Sequence, residues 1–412
     1  FDSEVHSMDF WPFKAAYYRV FQFVFDLGAR VLPWRRAQLT EGAGSIRKVP
    51  ALLQSAGVAH PMVVAGPRLM KSGLVSKLLS LLDTAGIAYS VFGDVEPNPS
   101  VATVDKIQAR YLSEACDGFI AIGGGSSMDA AKAAAARAAN PGKSVAALGG
   151  LLKVRHPIDP FFAIPTTAGT GSETTIAAVV VDTDTHHKYA IMDLKLIPRD
   201  AILDPELTLG LPPAVTAATG MDALTHAVEA YLCRNNNTKE SIRCAEDATV
   251  MIFQNLERAY RDGQNLEARS AMLKASFLAG YAFTRAGVGN VHAIAHTLGG
   301  LYDTPHGLAN AVILPVVLED YGAVVYKKLA RLAELTGICR DGTAEHRAKS
   351  FISEIRAMNR RMGIPDHLDC ILDRDIDTMI AWAGREANPV YPVPVLYDPT
   401  RFRRVIERVR GN

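Results

Sequence analysis

Cysteine is scarce and scattered: Cys116, Cys233, Cys244, Cys339 and Cys370 are all there are in 412 residues. Five is an odd number, and no spacing repeats. That excludes a disulfide framework and suits a reducing compartment, so a cytoplasmic location is expected. Long apolar runs are missing as well. None reaches the roughly 18 residues of a membrane-spanning helix, so no membrane span is expected. A dominant charge is also lacking, since 44 Lys+Arg against 43 Asp+Glu leave a formal net charge of +1. So weak a field gathers no phosphates, which argues against nucleic acid as the main partner. Neither an internal repeat nor a low-complexity linker interrupts the chain. What is present is ordinary for a soluble globular protein, with 49% hydrophobic and 21% charged residues. The length exceeds one ordinary core, so two domains are expected.

Residues 1–36 stand apart. Phe10 to Leu27 is dense in aromatic residues, with Pro12 suited to the first turn of a helix running towards Gly28 or Leu32. Few basic residues interrupt it, which suits packing on protein better than attraction to anionic lipid. From Gln38 strand and helix patterns alternate. Short apolar runs at Met62–Ala65, Tyr89–Phe92, Gly118–Ile122 and Phe161–Ile164 read as strands. Helical patterns lie at Ile46–Ala56, Ser72–Ala85, Ala102–Ala115 and Ser127–Ala139. This alternation predicts a doubly wound, Rossmann-like parallel sheet. A hairpin is expected from Val179 to Met192. After Leu211-Pro-Pro213 the patterns are helical to Ala387, so the second domain is all-α. The division expected is 1–36 as an N-terminal extension, 37–210 as a dinucleotide-binding α/β domain, and 211–412 as a helical domain.

Two loops carry the chemistry of the first domain. Gly123-Gly-Gly-Ser-Ser127 follows an apolar strand and opens a helix. Glycines at 124 and 125 let the backbone approach a phosphate, and the helix start offers free N–H groups and a positive dipole end. A tight structural turn is the plain alternative. Pro165 to Glu173, rich in Thr and Gly, can add donors. In the second domain, Asp222-Ala-Leu-Thr-His226 puts a carboxylate and an imidazole four apart, and His292-Ala-Ile-Ala-His296 repeats the spacing with two imidazoles. Positions i and i+4 share one helix face. His306 adds another imidazole at a loop or helix start. Such a mixed N/O set suits a borderline divalent metal, although a histidine in an apolar helix is often only a core residue.

The segments Gly220-Met-Asp-Ala-Leu-Thr-His226, Val291-His-Ala-Ile-Ala-His296 and Pro305-His-Gly307, with Gly123-Gly-Gly-Ser-Ser-Met-Asp129 and Pro165-Thr-Thr-Ala-Gly-Thr-Gly-Ser-Glu173, resemble the iron-containing (group III) alcohol dehydrogenase family. The likeness runs from near Gln38 almost to the C-terminus, with five motifs in the family's order. It implies that Asp222, His226, His292 and His306 hold ferrous iron, with zinc as a competitor, and that His296 lies beside the metal without ligating it. It also implies that Gly125, Ser126, Thr166, Thr167 and Thr170 contact the cofactor. Asn98 would lie nearby, Lys188 on the ribose or nicotinamide side, and Asp129 near the nicotinamide. The activity implied is reversible hydride transfer between a small alcohol or aldehyde and NAD or NADP, in a homo-oligomer of two or more copies. His296, titrating near neutrality, would relay the proton. Two further readings are a hydroxyacid–oxoacid transhydrogenase of the same fold and an assembly protein without catalysis; the intact ligand set argues against the second. One departure matters. Where many NAD-preferring members carry an aspartate after the first strand, this chain has Gly66, with Arg68 two residues on. Acceptance of NADP is therefore expected.

Overall fold

Nine strands and sixteen α-helices form among the residues that the computed structural model describes, 11–183 and 188–411. The strands are β1 Gln38–Glu41, β2 Pro61–Val64, β3 Ser90–Phe92, β4 Gly118–Gly123, β5 Gly150–Leu151, β6 Phe161–Pro165, β7 Ala177–Val181, β8 Lys188–Met192 and β9 Asp200–Leu203. The first helices are α1 Trp11–Arg30, α2 Val49–Ala56, α3 Pro67–Lys71, α4 Leu74–Thr84, α5 Val101–Ser113, α6 Gly125–Ala139 and α7 Val145–Leu148. From residue 213 on come α8 Pro213–Leu232, α9 Lys239–Arg261, α10 Leu266–Ala286, α11 Asn290–Tyr302, α12 His306–Tyr321, α13 Ala323–Thr336, α14 Ala344–Arg361, α15 Ile376–Ala387 and α16 Pro399–Arg410.

Six strands make one parallel sheet in the order β1-β9-β6-β4-β2-β3. The residues of β2, β4, β6 and β9 are buried throughout, as strands covered on both faces must be. Alternation divides them between two cores. Met62, Val64, Phe119, Ala121, Phe161 and Ala163 join α5 and α6 on one side. Val63, Ala65, Ile120, Ile122, Phe162 and Ile164 join α2 and α4 on the other. The expected hairpin forms: β7 pairs antiparallel with β8 from Ala177↔Met192 to Val181↔Lys188. The expected helix at Ser72–Ala85 begins two residues later, behind Gly73, whose φ of 83° ends α3 and opens α4.

The chain forms two compact units. One takes Pro33–Ala227 and Cys244–Thr284 and contains the sheet; the other draws on the described parts of Phe1–Leu32, Val228–Arg243 and Arg285–Asn412 and is helical. No helix among the described residues is long and apolar enough to cross a membrane. The helix expected in the N-terminal extension is present as α1, but it packs by its polar side. Gln22 and Asp26 are its buried residues. Gln22 Nε2 donates to the carbonyls of Pro389 (3.0 Å) and Tyr391 (2.7 Å). Arg19 donates to those of Val393 (2.8 Å) and Pro394 (3.1 Å), and Asp26 accepts from the Asn236 N–H at 3.0 Å. Phe13, Tyr17 and Phe23 on the remaining side of α1 are exposed, whereas Trp11, Tyr18, Phe21 and Phe25 are half-buried.

Candidate metal centre and cofactor loops

Three helices carry the metal-binding candidates. Asp222 and His226 stand one turn apart on α8, and His292 and His296 one turn apart on α11. Asp303, in the left-handed region at φ 51°, ends α11, and His306 is the first residue of α12. One ligand atom from each of Asp222, His226, His292 and His306 lies within 4.8 Å of the other three. The first three side chains are buried and the fourth is half-buried. His226 Nδ1 is 3.9 Å from Asp222 Oδ1, and the His226 ring stacks on Phe283 at 4.2 Å between centroids.

The imidazoles are aimed by their neighbours. Glu229 lies one turn beyond His226 on α8, with its Oε2 2.6 Å from His292 Nδ1. The same carboxylate accepts backbone N–H groups from Gly289 (2.9 Å) and Val291 (2.8 Å). Burial pushes Glu229 up to about 7, against the pull of those two backbone donors. The contact keeps a proton on Nδ1 and turns His292 Nε2 inward. There the amide nitrogen of the fully buried Asn310 lies 3.2 Å from His292 Nε2 and 3.1 Å from His306 Nε2. Two Nε2 atoms therefore converge on one point. A carboxylate and three imidazoles whose ligand atoms converge fit a divalent ion of the iron or zinc type.

His296 has a different setting. Its side chain is 35% exposed, and its Nδ1 lies 2.5 Å from Glu386 Oε1. Glu386 also accepts from the Tyr391 hydroxyl at 2.7 Å. Although burial raises its pKa, the charge and hydrogen bond of His296 and the Tyr391 bond leave the Glu386 carboxyl below its ordinary value. The His296 ring stacks on His306 at 5.2 Å, and its atoms are not among the converging four. Phe283 lies against His226, whereas Asn290 is fully buried and donates to the carbonyl of Val395.

The two loops of the sheet-containing unit lie side by side. Gly123, at φ 149°, ends β4, and its carbonyl accepts the Thr166 N–H at 2.9 Å. A Cβ on Gly124 would stand 3.2 Å from Thr167 Oγ1, and one on Gly125 3.0 Å from Thr170 Cγ2. A side chain at either position would crowd the threonines where the loops meet, and α6 begins there without a side-chain cap. Ser126, Thr167 and Thr170 are half-buried beside it, and Thr166 is buried. Asp129 accepts from Ser172 Oγ (3.0 Å) and the Val179 N–H (3.1 Å), so it braces the second loop. Burial raises it to about 6. Asn98 is exposed in the left-handed region at φ 53°. Gly66 precedes α3, and a Cβ there would lie 3.0 Å from the Val95 carbonyl. Arg68 is exposed. Lys188 opens β8, and its side chain lies outside the described residues.

Sequence reasoning missed Glu229, Glu386, Asn310 and Lys132. Glu229 had a signal, since Asp222, His226 and Glu229 stand at helical positions 0, 4 and 7 on one face. Asn310 likewise follows His306 by four. Glu386 is 90 residues from His296, and nothing local announces it. Lys132, fully buried, donates to the carbonyls of Ser172 (2.6 Å), Thr175 (2.9 Å) and Ala177 (3.2 Å). Burial lowers its pKa to about 8. In an alanine-rich helix it reads as a surface lysine.

Comparison with known proteins agrees with this geometry. Residues 37–205 match the family model "Iron-containing alcohol dehydrogenase", and residues 216–390 match "Fe-containing alcohol dehydrogenase family, C-terminal". The 1,3-propanediol dehydrogenase of Klebsiella pneumoniae is 41% identical over 352 residues, which is 84% of this chain and 90% of that protein. An NAD-dependent methanol dehydrogenase of Bacillus methanolicus is 37% identical over 325 residues, 79% of this chain and 85% of the other. A crystal structure of 1,3-propanediol oxidoreductase superposes with a TM-score of 0.88 at 36% identity, covering 91% of this chain and 99% of that one.

Proposed function

The chain belongs to the iron-containing alcohol dehydrogenase family, and from that premise we propose which of its residues carry the reaction. It is a metal-dependent oxidoreductase that transfers a hydride between an alcohol or aldehyde and a nicotinamide cofactor, NAD-linked as in its relatives. Asp222, His226, His292 and His306 are the metal ligands in this reading. Its main support is the convergence of their four ligand atoms within 4.8 Å. A divalent ion held by them supplies Lewis acidity toward the alcohol or carbonyl oxygen. The nicotinamide, when bound, takes or gives the hydride.

The protein's own groups do the rest. Glu229 fixes the tautomer of His292, and Phe283 keeps water from one face of His226. His296, held at Nδ1 by Glu386, takes the alcohol proton at its other ring nitrogen and passes it to solvent, to which it is open. Gly124, Gly125, Ser126, Thr166, Thr167 and Thr170 form the cradle for the cofactor phosphates, with Asn98, Asp129 and Lys188 around it. Residues 37–210 thereby serve the dinucleotide and residues 211–412 the metal. NADP is accepted alongside NAD, since Gly66 offers no carboxylate to repel a 2′-phosphate and Arg68 is exposed. The protein works as a homo-oligomer in the reducing cytoplasm, where its cysteines, none of them paired, stay reduced.

The test is His306→Ala, assayed for bound metal and for turnover of a panel of small alcohols and aldehydes with both cofactors. Loss of both metal and turnover is expected. Full metal content with a normal rate would take His306 off the ligand set.

A further inference from the structure

The outer face of α1 is apolar, and its residues are regularly spaced. Phe13, Tyr17, Val20, Val24, Leu27 and, in the turn that closes the helix, Val31 are between 59% and 82% exposed. Their intervals are four, three, four, three and four. That is the heptad rhythm of a helix-pairing seam, with period 3.5, and not the broader stripe of a helix lying on a core. Tyr17, Val24 and Val31 fall at one core position of the heptad and Phe13, Val20 and Leu27 at the other. Val24 and Val31 at the first position with Leu27 at the second are the choice that suits two helices in the C-terminal half of the seam.

The opposite face of α1 is already committed. Arg19, Gln22 and Asp26 hold it on Pro389–Pro394 and Asn236. The seam therefore points away from its own chain. With Phe23 it is a continuous exposed face of seven large hydrophobic side chains, the kind of patch that marks an interaction surface. A lipid surface is a poorer match. Of the three cations on α1, Arg19 is spent on backbone carbonyls and Arg30 on Asp26 at 2.8 Å, which leaves Lys14 to meet anionic headgroups.

We propose that α1 pairs with the α1 of a second copy of this chain across a two-fold axis, along the seam Phe13 to Val31. The contact is isologous, so the same residues meet on both sides. Val24 lies near the middle of the seam and stands close to the axis whether the helices run parallel or antiparallel.

The test uses the full chain. Val24→Glu places a charge in the seam without touching the docked face, and the mass measured by sedimentation velocity is expected to fall by a factor of two. Val24→Cys is the conservative companion. Under mild oxidation it is expected to give a covalent dimer that the parent chain, with its exposed Cys370, does not give. An unchanged mass for Val24→Glu together with no cross-link for Val24→Cys overturns the proposal. So does flotation of the full chain with phosphatidylcholine–phosphatidylserine vesicles that Val24→Glu abolishes, because the seam would then meet lipid.

Discussion

Replacing Glu229 by glutamine keeps its shape and removes its charge. In the protein its two oxygens face three donors: the Gly289 N–H at 2.9 Å, the Val291 N–H at 2.8 Å and His292 Nδ1 at 2.6 Å. A glutamine must turn its NH₂ group either toward Val291 or toward Gly289 and His292 together, because those two share Oε2. Facing Val291, it leaves a buried N–H unmet, at a cost of about 1–3 kcal/mol. The bond to His292 then falls from charge-assisted to neutral, which loses about 1 kcal/mol more. Facing His292, it forces the imidazole to accept at Nδ1 and carry its proton on Nε2, the nitrogen aimed inward, which abolishes ligation. Either way metal affinity is expected to fall roughly 10- to 100-fold, as it does when a ligand's hydrogen-bond partner is removed. Metal per chain would be measured by mass spectrometry after equilibration at buffered free Fe²⁺ or Zn²⁺, with circular dichroism to confirm that the fold is kept. If Glu229→Gln holds as much metal as the parent across the whole buffered range, the carboxylate is not what aims His292, and the argument fails.

His296→Ala is expected to retain its metal and lose rate, most steeply near neutral pH; loss of metal in that variant would make His296 a ligand. For Glu173→Gln a pH signature is expected. Glu173 is 2% exposed, its Oε1 has no hydrogen-bond partner among the described residues, and burial raises it from 4.5 to about 7. Its folded form holds a proton more tightly than its unfolded form, so its contribution is intact below about pH 4.5 and is lost as pH rises through about 7, to the extent of about 3 kcal/mol. The melting temperature of Glu173→Gln should therefore exceed the parent's by more at pH 8 than at pH 5, and an offset independent of pH would contradict the assignment. Finally, kcat/KM for NADP is expected to be at least comparable with that for NAD on one good substrate. A hundredfold preference for NAD, about 2.7 kcal/mol, would show that the loop selects by another feature. Gly66→Asp is a poor probe of this, because a Cβ there meets the Val95 carbonyl at 3.0 Å.

The sequence was readable where the physics is local. The strands β2, β4 and β6 are continuous apolar runs, and Asp222, His226, His292 and His296 announce shared helix faces by spacing alone. Strand β1 escaped notice because Gln38-Leu-Thr-Glu41 is half polar at the sheet edge. Strand β9 escaped because it opens on the buried Asp200. Helix α16 was within reach: Phe402, Val405, Ile406 and Val409 are its buried face, although arginines outnumber them. Glu386 and Lys132 act across 90 and 40 or more residues of chain, and pairing of that kind appears only once the chain is folded. Helix α1 packs on protein through Arg19, Gln22 and Asp26, and its aromatic density could not show which of its faces makes those contacts.

The docking of α1 has a practical consequence. Gln22 grips the carbonyls of Pro389 and Tyr391, Tyr391 holds Glu386 by its hydroxyl, and Glu386 holds His296. Three links thus join the N-terminal extension to the imidazole proposed to move the proton. A tag, a proteolytic nick or a deletion ahead of Pro33 is remote from the metal in sequence, yet it slackens a tether that ends on His296. Preparations differing only at that end of the chain would then differ in turnover while binding metal equally well.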